Sequence, residues 1–171
     1  MELVDLKKEL VTTEKPISRE LIMDLEGLIK KSKDVVLGDS QICPLKHSFS
    51  EGIYVRQITI PEGTVLTGKI HKHDHPNFLI KGEVIVITEE GRETLTAPCS
   101  MISKAGTKRA LYAVTELVWT TIHHNPTNTQ DLKDLEKIII ADSYSDYEKF
   151  ISTKNNVFNK AKQLIIKTLS K

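Results

Sequence analysis

Residues 69–91 read "KIHKHDHPNFLIKGEVIVITEEG", and how this stretch folds decides how the rest of the chain is read. It has no helical period. β-Branched residues crowd the "EVIVIT" portion, and Gly91 after Glu90 suits a tight reversal because glycine tolerates positive φ. Working outward, the same character holds from about residue 40 to residue 124. Short runs ("GIYVRQITI", "TVLTGKIHKH", "NFLIKGEVIVITEE", "RETLTAP", "SMISKAG", "LVWTTIH") alternate with turn signals such as Pro61-Glu62-Gly63. Six or more short strands at this spacing predict a β-sandwich or barrel.

Helical periodicity flanks that region on both sides. Residues 1–35 read as helical with a break at "TTEKPIS", after which Ser18 caps a helix placing Leu21, Leu25, Leu28 and Ile29 on one face. Beyond "HHNPTNT", Leu132, Leu135 and Ile139 share a helical face. Ser145 and Glu148 then have capping-box spacing ahead of an apolar face of Val157, Phe158, Ala161, Leu164, Ile165 and Leu169. The expected plan is an N-terminal helical segment (1–38), a β-barrel (39–126) and a C-terminal helical extension (127–171). The lysines near the C-terminus read as the solvated face of the last helix.

The totals narrow the function classes. At 171 residues the chain suits one buried core with appended helices. Its 24 Lys and Arg against 23 Asp and Glu leave no basic surplus to drive non-specific nucleic-acid binding. Cys43 and Cys99 form no framework, and Cys43 with His47 makes only a Cys-x3-His pair, so a reducing cytoplasm is expected. The start "MELVDLKKEL" lacks the pattern of a signal peptide, and no apolar run approaches the roughly 20 residues needed to span a bilayer.

Chemistry concentrates in the histidines. Side chains at i, i+2 and i+4 of a strand share a face, so His71, His73 and His75 would line up with Asn77 next in the row. Neutral imidazoles gathered in this way make a ligand set for a divalent transition metal such as Zn, Fe, Mn or Ni. The competing reading is an exposed edge strand with its imidazoles in water. In "LVWTTIHH", Leu117, Trp119, Thr121 and His123 share one side and His124 takes the other, so one of the two histidines points inward; His123 is preferred because Asn-Pro follows His124. Tyr54 and Arg56 alternate along a strand that would reach the mouth of a barrel, where they would extend a ligand pocket.

A strand bearing His-x-His followed by "KGEVIV" resembles the first signature of the cupin superfamily, G-x5-H-x-H-x3,4-E-x6-G. His71 and His73 match the histidine pair, Asn77 stands where the glutamate would, and Gly82 is the closing glycine; registers using His73 and His75, or His71 and His75, also fit. Of the second signature, "PCSMISKAGTKRALYA" keeps Gly106, and Arg109 takes the place of the remaining histidine ligand. Arginine stays protonated and does not coordinate metal, but it holds a carboxylate or phosphate through paired hydrogen bonds. An exposed charge in the "TKR" turn is the alternative.

Over residues 43–136 the chain is similar to a group of small cupin-like proteins of tailed bacteriophages, with "GKIHK", "LIKGEV", "APCS", "KAGTKR" and "VWTTIH" in the same order. The resemblance implies a jelly-roll barrel and a phage origin, and no particular reaction. It also implies that positions 71, 75, 77, 109 and 123 matter more than 73, making His71 and His75 the first ligand candidates and His73 the third. Three functions follow as expectations: a metal-dependent enzyme acting on a small anion oriented by Arg109; a non-catalytic binder of a phosphorylated or carboxylated molecule, such as a host signalling nucleotide; or a structural phage component. The flanking amphipathic helices predict a homodimer.

Overall fold

The computed structural model describes residues 18–33, 35 and 38–169, with the side chains of Leu164 and Leu169 excepted. The expected helical stretch before Ser18, and with it the break at "TTEKPI", lies outside the described residues. The chain is mainly β, with antiparallel sheets and helices at both ends. In order it forms α1 (Arg19–Lys31), β1 (Leu45–Ser50), β2 (Ile53–Ile60), β3 (Val65–Thr67), β4 (Ile70–His71), β5 (His75–Lys81), β6 (Glu83–Thr88) and β7 (Gly91–Thr96). Then come β8 (Cys99–Ser103), β9 (Ala110–Ala113), β10 (Leu117–His124), α2 (Leu132–Ile139), β11 (Ile140–Ala141) and α3 (Tyr144–Leu169).

The strand order identifies the architecture. One sheet runs β1-β2-β10-β5-β8 and the other β3-β9-β6-β7. Without the outer strand β1, these are the two interleaved four-stranded sheets of a jelly roll. Leu79, Val84, Val86, Leu117 and Trp119 fill the space between them. The third small sheet pairs β4 with β11, His71 opposite Ile140, and so ties the C-terminal extension into the barrel.

The run in "EVIVIT" is explained by burial on both sides. Val84 and Val86 face the inter-sheet core, while Ile85 and Ile87 pack with Ala110 under Ile22 and Leu25 of α1. Burying each of the two α1 side chains stabilises the docking by roughly 1.5–3 kcal/mol. The helix starts where its sequence predicts: Ser18 Oγ accepts from the Leu21 N–H at 3.3 Å. Its second anchor is electrostatic, with Glu26 accepting from Lys108 Nζ at 2.9 Å; the Lys108 side chain is only 4% exposed.

Two glycines are demanded by close contacts. Gly82, between β5 and β6, has φ +93°, and a Cβ there would lie 2.2 Å from the Glu116 carbonyl oxygen. At Gly106 (φ +80°) a Cβ would lie 2.5 Å from Cε1 of Tyr147, so this glycine seats α3 on the barrel. That helix begins two residues earlier than the Ser145–Glu148 spacing suggests. Ser143 Oγ accepts from the Asp146 N–H at 3.1 Å and donates to its carboxylate at 2.7 Å, a nearer capping pair that uses Asp146 in place of Glu148. Further along α3, Val157, Phe158 and Ile165 are exposed.

Candidate metal centre

The histidine stretch is not one continuous strand. β4 ends at His71, Lys72–Asp74 bend, and β5 starts at His75. Asp74 holds the bend by accepting from the Ala105 N–H at 2.8 Å and from Lys104 at 3.1 Å. Across the bend the alternation rule lapses, and His71 and His75 face each other from two strands with ring centroids 4.1 Å apart. His73 sits at the outer tip of the bend, exposed, its ring edge-on to Phe150 at 5.3 Å. It is not brought to the cluster.

The third ring comes from β10. His123 is buried, opposite Tyr54 in the β2 ladder, with its ring 5.1 Å from that of His71 and 4.7 Å from that of His75. Its neighbour His124 is exposed. One ring nitrogen from each of His71, His75 and His123 lies within 4.8 Å of the other two. A tetrahedral ion with Zn–N bonds of about 2.0–2.1 Å would need nitrogens about 3.3 Å apart, a contraction of at most about 1.5 Å per pair.

The surroundings prepare these rings to coordinate. Burial, then the neighbouring His75, His123, Arg109 and Arg56, push the His71 imidazole down to about 2. Burial, followed by His75 and Arg56, takes His123 to about 3. His75 is lowered mainly by burial as well, against the bond from its Nδ1 to the His73 carbonyl at 3.2 Å. All three are therefore neutral at ordinary pH, and in His75 that bond places the proton on Nδ1 and the lone pair on Nε2. The donor set fits a borderline transition ion.

Asn77, 1% exposed, fixes the floor of the site. Its amide donates to Ser103 Oγ at 2.5 Å and to the His75 carbonyl at 3.2 Å, and accepts from Trp119 Nε1 at 2.9 Å. With both donors and the oxygen engaged, it positions β5 and has little left for a ligand. Tyr54 turns its ring to His123 at 5.9 Å and donates or accepts at His47 Nδ1 (2.8 Å), so its hydroxyl is directed away from the cluster and His47 is paired with Tyr54 rather than with Cys43.

Arg109 and Arg56 line a cavity of about 570 Å³ that also takes in His71, His75, Thr121 and Trp119. Arg109 precedes β9, hydrogen-bonds Ser103 Oγ, and lays its Cγ where a Cβ on Gly68 would lie 3.1 Å away. Ile29, Lys30, Ser32 and Val35 add the end of α1 and the segment after it to the wall. Sequence reasoning passed over Ser103, Lys108 and Glu26. Serine and surface-type charges carry no pattern of their own; Trp119 was visible only as a member of the His123 face.

The fold and site together define a jelly-roll protein with a three-histidine cluster, two of whose rings line its cavity. No protein-family model matches the chain, and no curated protein matches it. Among solved structures it is similar to ectoine synthase from P. lautus (17% identity, 65% of this chain and 83% of that one, TM-score 0.47). It is also similar to KdgF from Halomonas sp. (14%, 52% and 86%, 0.44) and to a cupin superfamily protein from Desulfitobacterium hafniense (10%, 66% and 98%, 0.44). No helix among the described residues is long and apolar enough to cross a membrane.

Proposed function

We propose that this is a cupin-type metalloprotein whose His71, His75 and His123 hold one divalent transition ion (Zn, Fe, Mn or Ni) and whose Arg109 orients a small anionic substrate beside it. The observation carrying this reading is the convergence of three neutral imidazoles from β4, β5 and β10, His71 half-buried and His75 and His123 buried, within 4.8 Å. An ion bound there would supply Lewis acidity and an open coordination position. The chain's own groups do the rest. His75 keeps its lone pair aimed inward through the Nδ1 bond, Asn77 and Trp119 lock the strand beneath it, and the half-buried Arg109 presents a charged fork that cannot itself coordinate.

A second reading, a non-catalytic binder, is favoured by one feature: Glu26, one of the two carboxylates lining the cavity, is engaged by Lys108 and Thr67 and so is a poor general base. Elemental analysis of untagged protein tests the centre. About one ion per chain is expected, lost in the His71→Ala, His75→Ala double variant and kept in His73→Ala. A metal content near zero in the folded native protein sinks the proposal. Recovery of a bound molecule unchanged after denaturation would favour the binder over the enzyme.

A further inference from the structure

Two guanidiniums share this cavity, and neither forms an ion pair with any described carboxylate. Arg109 donates to the Ser103 hydroxyl; no side-chain partner meets Arg56 among the described residues. The exposed Asp39 acts on Arg56 only at a distance. The other cations of the wall are neutralised: Lys69 by Glu136, and Lys30 by Glu26, which also takes the buried Lys108. A charge drawn partly out of solvent without a partner is costly, and here two half-buried ones share one chamber with imidazoles that contribute no negative charge. Partial burial is the main influence lowering both arginines.

The guanidiniums approach the cluster differently. Arg56 stands opposite Thr121 in the β2–β10 ladder, and Thr121 stands opposite Asn77 in β5, so Arg56 belongs to the row beside the His123–Tyr54 pair. Arg109 comes just before β9, its carbonyl accepting from the Gly68 N–H and its guanidinium reaching Ser103 at the end of β8. Between them Ile58, Ile60, Leu66, Leu111 and Trp119 give the wall an apolar stretch, with Thr64, Thr67, Thr121 and Glu62 also lining the cavity. A compact inorganic anion would satisfy one arginine and leave that wall wet.

We infer that the pocket takes an organic dianion: one carboxylate or phosphate on Arg109, a second on Arg56, and an apolar skeleton between them against Ile58, Leu66, Leu111 and Trp119. This rests on the reading of the same cavity as the substrate site. The volume of about 570 Å³ suits such a molecule and is within the usual range for small-ligand pockets. Each guanidinium can make two parallel hydrogen bonds to its oxyanion, so the two forks select both for charge number and for the spacing of the charges.

Calorimetric titration of the metal-loaded protein and of chelator-treated protein tests this with matched probes: phthalate against benzoate, glutarate against butyrate, and inorganic phosphate. In each pair the dianion should bind at least 10-fold more tightly than the monoanion of like skeleton, and phthalate more tightly than phosphate. Arg56→Gln should abolish the dianion preference while metal content, read by elemental analysis, stays as in the parent protein. Equal binding within the pairs, no binding of any dianion, or an unchanged preference in Arg56→Gln would overturn the inference while leaving the metal reading intact. A dianion preference in a protein that holds no metal would do the reverse.

Discussion

The three clustered imidazoles make the metal-free protein acid-sensitive above the range where carboxylates titrate. An unfolded histidine takes its proton near pH 6.5, whereas His71 and His123 in the fold do so at about 2 and about 3. Between those limits the unfolded chain binds more protons than the native one, so stability falls as pH falls below about 6.5 and is fully retained above it. From pH 7.5 to 5.0 each of the two groups loses about 1.5 units at about 1.36 kcal/mol per unit, so together they remove about 4 kcal/mol. His75 adds to the loss in the same direction. Set against a usual stability of about 5–15 kcal/mol, this is a large fraction. Urea unfolding at steps between pH 7.5 and 5.0, with a chelator present, measures it. The His71→Asn, His123→Asn variant should flatten the dependence. A parent protein whose stability changes by less than about 1 kcal/mol over that window would refute the claim that these rings are held neutral by the fold.

Two further outcomes follow from the packing. Glu26→Ala strands the buried Lys108 charge and should destabilise by roughly 3–5 kcal/mol in urea unfolding, whereas adding Lys108→Met should restore most of that loss; a double variant no better than the single one would show that α1 is held by its apolar face alone. Gly106→Ala forces a Cβ against Tyr147 at positive φ and should lower stability by about 1–3 kcal/mol while exposing α3 to limited proteolysis, an effect absent if the contact is unimportant.

Much of the barrel is legible because strand signals are local. The alternating runs and their turns gave six of the strand regions, and Ser18 marked the start of α1. β1 and β9 escape notice because "LKHSFS" and "ALYA" contain no β-branched residues; they are held as strands by partners far away in sequence, β2 on one side and β3 and β6 on the other. The histidine row fails for a different reason. Period-2 reasoning places 71, 73 and 75 together, but a hydrogen bond from Ala105, more than thirty residues downstream, bends the chain at Asp74 and turns His73 outward. Only the spacing of His71 and His75 survives, since both ends of a bend can face the same point. Strand parity puts one of His123 and His124 inside and the Asn-Pro after His124 favours His123; the structure buries His123 and exposes His124.

The same bend explains why a site exists at this end of the barrel. A continuous strand through Asp74 would have set His71 and His75 roughly 13 Å apart along one face, too far for both to reach one ion. Breaking it brings His71 and His75 together with their rings tilted, and the β4–β11 pairing holds the first of these in place from the C-terminal side. Lys72 adds to that tie by donating its backbone N–H to the Ile139 carbonyl at 2.7 Å. The C-terminal extension is thus part of the site's construction, although none of its residues belongs to the histidine cluster. Changes in α2 or β11 should therefore act on the geometry of His71 before they act on the stability of the barrel.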